Sequence, residues 1–274
     1  MNITAAAISL LSAAAFFLLM LNLSFLFEAM SRGALSSEVT LRRPRALFTP
    51  PSEFSAAAAA VCTFYFIPMG SLPSYIEAPF GIIFFIFLFM LSAFLSGIAK
   101  GGMKAGAAEL RRSFSFTGAL SLSLLVTGLL LHRLGFGGSF FALDAFASAS
   151  VYRAVSPLFG LGILVCFSGC GMALALSAEE PQKQPPAAFS LRLLSGAAVL
   201  CALYGPPVPA RFFGLTGFWL YLLDLLCSWF YLFSLGFAVL RLRRWSQYRR
   251  PLFFWLTVAL LLFGAVLASV GASG

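Results

Sequence analysis

Side chains suited to acid–base work are scarce in this chain, because only nine of its 274 residues are aspartate or glutamate. Asp224 lies inside an apolar run, WLYLLDLLCSWF, where an ionised carboxylate is costly unless a partner or water meets it. Three readings stand side by side: a carboxylate that relays protons, one half of an interhelical pair with Arg192, and a carboxyl kept neutral by desolvation. Arg192 itself lies near the end of a short run, from which its stem can snorkel to the surface. Glu28 closes the first apolar run, and Glu179 and Glu180 close the fifth within LALSAEEPQKQPP. Arginine is concentrated instead: LRLRRWSQYRR, at positions 240 to 250, holds Arg241, Arg243, Arg244, Arg249 and Arg250. With one histidine, His132, a bis-histidine haem, a histidine-rich metal centre and a Ser-His-Asp triad are all disfavoured. Cys62, Cys166, Cys170, Cys201 and Cys227 sit in apolar runs, where a thiol behaves as a small hydrophobe.

The elements that must position these groups are read from the apolar runs. Hydrophobic residues make up 61% of the chain and 32 residues are phenylalanine; the mean hydropathy is +0.96. An apolar stretch of about 20 residues crosses the hydrocarbon of a membrane. Eight runs separated by polar or turn-forming breaks qualify, at roughly 3–27, 54–70, 78–99, 114–131, 157–178, 187–204, 213–240 and 251–271. The first lacks a basic start and exceeds a signal-peptide core, so it reads as a retained helix. The expectation is an all-α, polytopic bundle of about eight transmembrane helices, one transmembrane domain over 1–274. Glycines concentrate in the fifth run, GLGILVCFSGCGMALALSA, where they let a neighbouring helix approach closely.

A net charge of +9 raises the possibility of nucleic acid, and its distribution decides against it. Most basic residues fall in alternate connections: Arg32, Arg42, Arg43 and Arg45 after the first run; Lys100, Lys104, Arg111 and Arg112 after the third; Lys183 after the fifth; the five arginines after the seventh. Only Arg133, Arg153 and Arg211 fall in the others. That is the positive-inside pattern, which puts both termini outside and draws the basic connections to anionic lipid. Basic groups and a few carboxylates at the mouth of a helix bundle suit a polar headgroup above an apolar cavity, or a docking surface for a soluble partner.

The spacing also resembles a known family, the quinone-pocket membrane subunit of respiratory complex I, NADH dehydrogenase subunit 1 and its bacterial counterpart. IPMG and then GIIFFIFLFMLSAFLSGIAKGGMKAGAAELRRSFSFTGALSLSLL look like its second to fourth helices. Ser96, Gly97, Ala99 and Lys104 echo the family's S-G-W-A-S-N-S-K segment, and Arg112 its following arginine. GFGGSFFALDAF, at 135–146, is similar to the N-G-S-F/L turn. LRLRRWSQ supplies Arg241, Arg243 and Gln247 of P-R-x-R-Y-D-Q, ahead of a run containing Trp255. Glu28 and Gly33 fit the spacing of E-R-K-x-L-G, with Ala29 and Met30 in place of its basic pair, and Ala178 and Glu179 resemble the start of A-E-T-N-R. The chain departs from the family after Glu180, where a long acidic segment shrinks to PQKQPPA, and at Ser121, where the family has a glutamate.

The resemblance implies a membrane subunit of proton-translocating NADH:ubiquinone oxidoreductase that forms part of the quinone chamber and docks the hydrophilic arm. It implies no redox centre of its own: ubiquinone is the substrate, and FMN and iron–sulfur clusters reside in partner subunits. Glu28, Lys104, Arg112, Glu179, Glu180 and Asp224 are the candidates for the quinone chamber or proton path. Arg241, Arg243, Arg244 and Gln247 are those for docking the arm. Other complex I subunits, ubiquinone and anionic lipid are the expected partners. The mitochondrial inner membrane, with termini on the intermembrane-space side, is the expected location, and a bacterial plasma membrane the alternative. Two other functions compete: a membrane anchor that has lost quinone chemistry, and a secondary transporter or channel, against which the missing internal repeat counts.

Overall fold

The structure, a computed structural model, describes residues 15, 18–20, 22–24, 26–27, 51–67, 80–133, 156–178, 187–204, 218–248 and 250–273. The regular elements among these are helices: α1 (Pro51–Phe64), a long stretch Gly81–Arg133, then α4 (Pro157–Ser177), α5 (Ala187–Tyr204), α6 (Phe218–Tyr248) and α7 (Arg250–Ser273).

The long stretch is two helices. Its backbone leaves helical geometry at Gly101 and Gly102, which separate α2 (81–100) from α3 (103–133). Gly102 has φ 73°, a conformation open to glycine at little cost. The two arms fold back on each other. The rings of Phe89 and Phe116 are 5.1 Å apart between centroids, whereas a straight helix would separate these residues by about 40 Å. A Cβ on Gly97 would lie 2.6 Å from both the Ala105 carbonyl oxygen and Gly106 Cα, so the arms approach as closely as they do because position 97 has no side chain. The apolar pattern predicts a connection over 100–113, but the reversal needs only two glycines. The Lys, Ala, Glu, Leu and Arg residues that follow are good helix formers, so α3 starts at 103.

α4 and α7 form a second close pair. Ser156 caps α4: its Oγ accepts from the Phe159 N–H at 3.1 Å and donates to the Gly271 carbonyl at 2.8 Å, with Pro157 at the first helical position. Along the seam Gly162 meets Gly264 and Ala268, Gly264 meets Cys166, and Gly271 meets Phe159. The glycines of the fifth run therefore do admit a neighbour, and the neighbour is α7.

α5, the short alanine-rich run, is the hub of the bundle. Every residue from 188 to 200 is buried, among α1, α3, α4 and α6. The seventh run extends well past its apolar part. α6 runs to Tyr248, so Arg241, Arg243 and Arg244 belong to the helix rather than to a connection, and Pro251 stands in the first turn of α7, where a proline is tolerated. The described residues of the first run are helical, with Phe27 buried against Phe233 and Phe237 of α6.

Four stretches, Gly81–Leu130, Pro157–Ser177, Leu226–Arg243 and Arg250–Ser273, are long and apolar enough to cross a membrane, and Ala188–Tyr204 is a shorter apolar helix. Phe87, Leu125, Leu129, Trp255 and Phe263 point outward, as side chains do when the solvent is lipid. The chain is an all-α, membrane-embedded bundle.

Candidate functional site

The hairpin turn brings the end of α2 beside the start of α3, and α5 completes the group. Glu109 of α3 is 2% exposed. Lys100 Nζ of α2 donates to its Oε1 at 3.3 Å. Arg192 of α5, itself 4% exposed, brings a terminal guanidinium nitrogen to 3.8 Å from Oε2. Arg112, one turn on, stands 3.8 Å from Oε1 with its side chain 44% exposed. The Lys100 contact is a charge-assisted hydrogen bond; the arginine contacts are ion pairs too long to be hydrogen bonds.

The surroundings of this carboxylate are polar but incompletely satisfied. Glu109 Oε2, both terminal nitrogens of Arg192, and the hydroxyls of Ser96 and Ser113 are buried with no hydrogen-bond partner among the described residues. Ser96 is one turn before Lys100, and Ser113 one turn after Glu109, so both carry the polar face onward into the bundle. Glu53, in the first turn of α1 and ahead of its apolar run, belongs to the same end. Burial pushes its carboxyl above the ordinary range, and the attraction of Lys100 pulls it part of the way back. Arg243 is buried as well, its guanidinium carbon 5.2 Å from the ring centroid of Phe189 in the first turn of α5.

The candidates named from the sequence separate here. Arg112 joins the cluster at its rim. Lys104 is exposed on the first turn of α3, and Arg241 is exposed on α6. Arg243 is buried, so it does not serve as a surface contact for a soluble partner as Arg241 can. Asp224, Arg244 and Gln247 are placed by backbone alone, on α6. Glu28, Glu179 and Glu180 lie outside the described residues, as do Gly33, the GFGGSFFALDAF turn and the basic residues between the first two runs. Ser121 is exposed, off the polar face.

Of the three readings of Asp224, the pair with Arg192 does not hold, because Arg192 faces Glu109 instead. Arg243 over Phe189, and Gly236 beside Leu193, set α5 antiparallel to α6 with Arg192 near the level of residue 240. At 1.5 Å per residue, the Asp224 backbone lies about 24 Å further along the axis. Arg192 does not snorkel either: it turns inward to Glu109. Apolar periodicity misses Glu109 and Lys100 as a site because it assigns them to a connection. The available signal is Lys100 and Glu109 flanking Gly101–Gly102, two opposite charges that a glycine reversal brings together.

Compared with known proteins, the chain matches no family model and no curated protein.

Proposed function

We propose that the chain is a membrane subunit of a quinone-reducing electron-transfer complex of the complex I type, walling part of the chamber in which a lipophilic quinone receives electrons from a partner. The observation that carries the reading is Glu109 held between Lys100 and Arg192 at the end of an apolar bundle. A quinone is an apolar tail with a headgroup of two carbonyl acceptors. Lys100 and Arg192 are donors for such oxygens, and the apolar helices around them suit the tail. Reduction to the quinol takes up protons, and a carboxylate between two cations is a group whose charge balance responds to that change. The resemblance to NADH dehydrogenase subunit 1 supplies the partners: FMN and iron–sulfur subunits deliver the electrons, and the exposed Arg241 faces them. Lys104 and Arg112 line the quinone's way in from an energy-coupling membrane, the mitochondrial inner membrane or a bacterial plasma membrane.

The test is purification from the native membrane in mild detergent, followed by photolabelling with a quinone-site inhibitor. Co-purifying flavin and iron–sulfur subunits, with label on α2, α3 or α5, is the expected result. A chain that purifies with such partners but takes no label is an anchor. A chain that purifies alone and moves a solute in liposomes is a transporter.

A further inference from the structure

We propose that the junction of α2, α3 and α5 holds the headgroup of a long-chain carboxylic acid, its carboxyl set between Glu109 and Arg192 and its tail lying among the lipid chains of the bilayer. The proposal does not rest on the quinone reading.

Three atoms set the chemistry. Lys100 occupies Glu109 Oε1, while Glu109 Oε2 and both terminal nitrogens of Arg192 are buried with no hydrogen-bond partner among the described residues. One of those nitrogens is 3.8 Å from Oε2, beyond hydrogen-bond reach. Both side chains are more than nine-tenths buried, and interiors rarely leave such atoms unmet. Their partner has to give a proton to one oxygen and accept from two nitrogens held side by side in one plane. A protonated carboxyl does all three. Its carbonyl oxygen accepts from one nitrogen, and its hydroxyl oxygen accepts from the other and donates to Oε2. Two carboxyl groups meeting away from water keep one proton between them, so the acid binds without ionising. Ser96 and Ser113, one turn from Lys100 and from Glu109, add buried hydroxyls that are unmet as well. A fully ionised anion would face Oε2 with nothing to donate, and an ammonium would face the guanidinium.

The second observation is depth. Arg112, 3.8 Å from Oε1, has a side chain 44% exposed, so the junction reaches the surface of the bundle there. Arg192 stands near the level of residue 240 of α6, and Trp245 of α6 and Trp255 of α7 are exposed at this same end. Exposed tryptophan gathers where the hydrocarbon meets the headgroups. Phe114, exposed just past Arg112, begins the lipid-facing apolar part of α3. A carboxyl carried on one alkyl chain sits at that depth unaided, head at the interface and tail in the hydrocarbon. The bilayer itself therefore delivers the ligand.

The test uses the full chain, with whatever partners accompany it from the membrane, in lipid nanodiscs. Binding of radiolabelled palmitic acid is measured against empty nanodiscs and then displaced by unlabelled palmitic acid, palmitamide or methyl palmitate. The amide keeps a donor beside a carbonyl; the ester keeps the carbonyl and the tail but loses the donor. Saturable binding is expected, displaced by the acid and the amide, with the ester weaker than the acid by about tenfold or more because it leaves Oε2 unmet. No saturable binding beyond that of empty nanodiscs overturns the proposal. Displacement by the ester as readily as by the acid overturns it too, since the tail alone then binds. Glu109→Met with Arg192→Met should abolish the binding, and full binding in that variant refutes the site. The displacement series is read on the unaltered chain, so it decides even where the double variant unfolds. Binding in a chain that purifies alone keeps this site and counts against the oxidoreductase reading. Absence of binding in a chain that comes with flavin and iron–sulfur subunits removes the site and leaves that reading intact.

Discussion

Along the α4–α7 seam, backbone touches backbone through Gly162, Gly264 and Gly271; at the junction of α2, α3 and α5, charged side chains fill the space between helices. Both regions lie at buried helix contacts, yet the first contains almost nothing that water would want and the second leaves five polar atoms unmet among the described residues. In a membrane the hydrophobic effect does not drive helices together, so the seam relies on dispersion between closely approaching backbones. The charged junction gains no such closeness and bears the desolvation of two ions. A bundle needing only to hold together would use the seam's solution throughout. The junction breaks that rule, and groups that break packing rules are where chemistry is to be sought.

The contrast breaks most visibly if Glu109 is removed. Glu109→Ala leaves Arg192 buried without its counter-charge and should lower stability by about 3–5 kcal/mol, read as a fall in thermal unfolding temperature in detergent. Replacing both partners, Glu109→Met with Arg192→Met, should return most of that loss, because the ions are not what makes the bundle stable. If the double variant is as unstable as the single one, the pair is structural, and the contrast with the seam disappears.

The seam answers to the opposite change. At Gly162 an added methyl group would collide with the backbone of Ala268 and Gly264, so Gly162→Ala should cost roughly 1–3 kcal/mol even though alanine is the better helix former. Gly171 is on the same helix, and a Cβ there meets nothing within 4 Å among the described residues. Gly171→Ala should therefore stabilise, by about 0.5–1 kcal/mol. The two glycines of α4 thus move stability in opposite directions, and equal effects would refute a packing role for the first. A smaller loss, about 1–2 kcal/mol, is expected for Gly102→Ala, which strains the left-handed turn without crowding any described neighbour.

How far these regions can be read from the sequence differs for the same physical reason. Glycine spacing in GLGILVCFSGCGMALALSA announces a close helix contact, because small residues in an apolar run have few other uses. All-α architecture and membrane residence are equally legible from the apolar runs. Glu109 is illegible because hydropathy measures where lipid is tolerated, not where a helix ends. α3 continues through KAGAAELRR into the polar zone and α6 through RLRRWSQY, so charged residues assigned to connections stand on helices. Arg192 is a candidate partner for Asp224, in one of the three sequence readings, because both interrupt apolar runs. Only the antiparallel register of α5 and α6 separates them, and register is a tertiary fact that composition does not carry.

The smallest expected effect on stability is also the one that bears most directly on function. Lys104 is exposed on the first turn of α3, two residues past Gly102, and has no ion-pair partner within the Glu109 cluster among the described residues. Exposed charges contribute little to folding, so Lys104→Gln should leave the unfolding temperature unchanged. If Lys104 lines the approach to a quinone chamber, the same substitution should weaken photolabelling by a quinone-site inhibitor in the assembled complex, and Lys104→Arg should restore it. A side chain whose loss alters labelling without altering stability acts on the ligand and not on the bundle. Unchanged labelling in Lys104→Gln would detach this position from the site and leave Glu109, Lys100 and Arg192 to account for it alone.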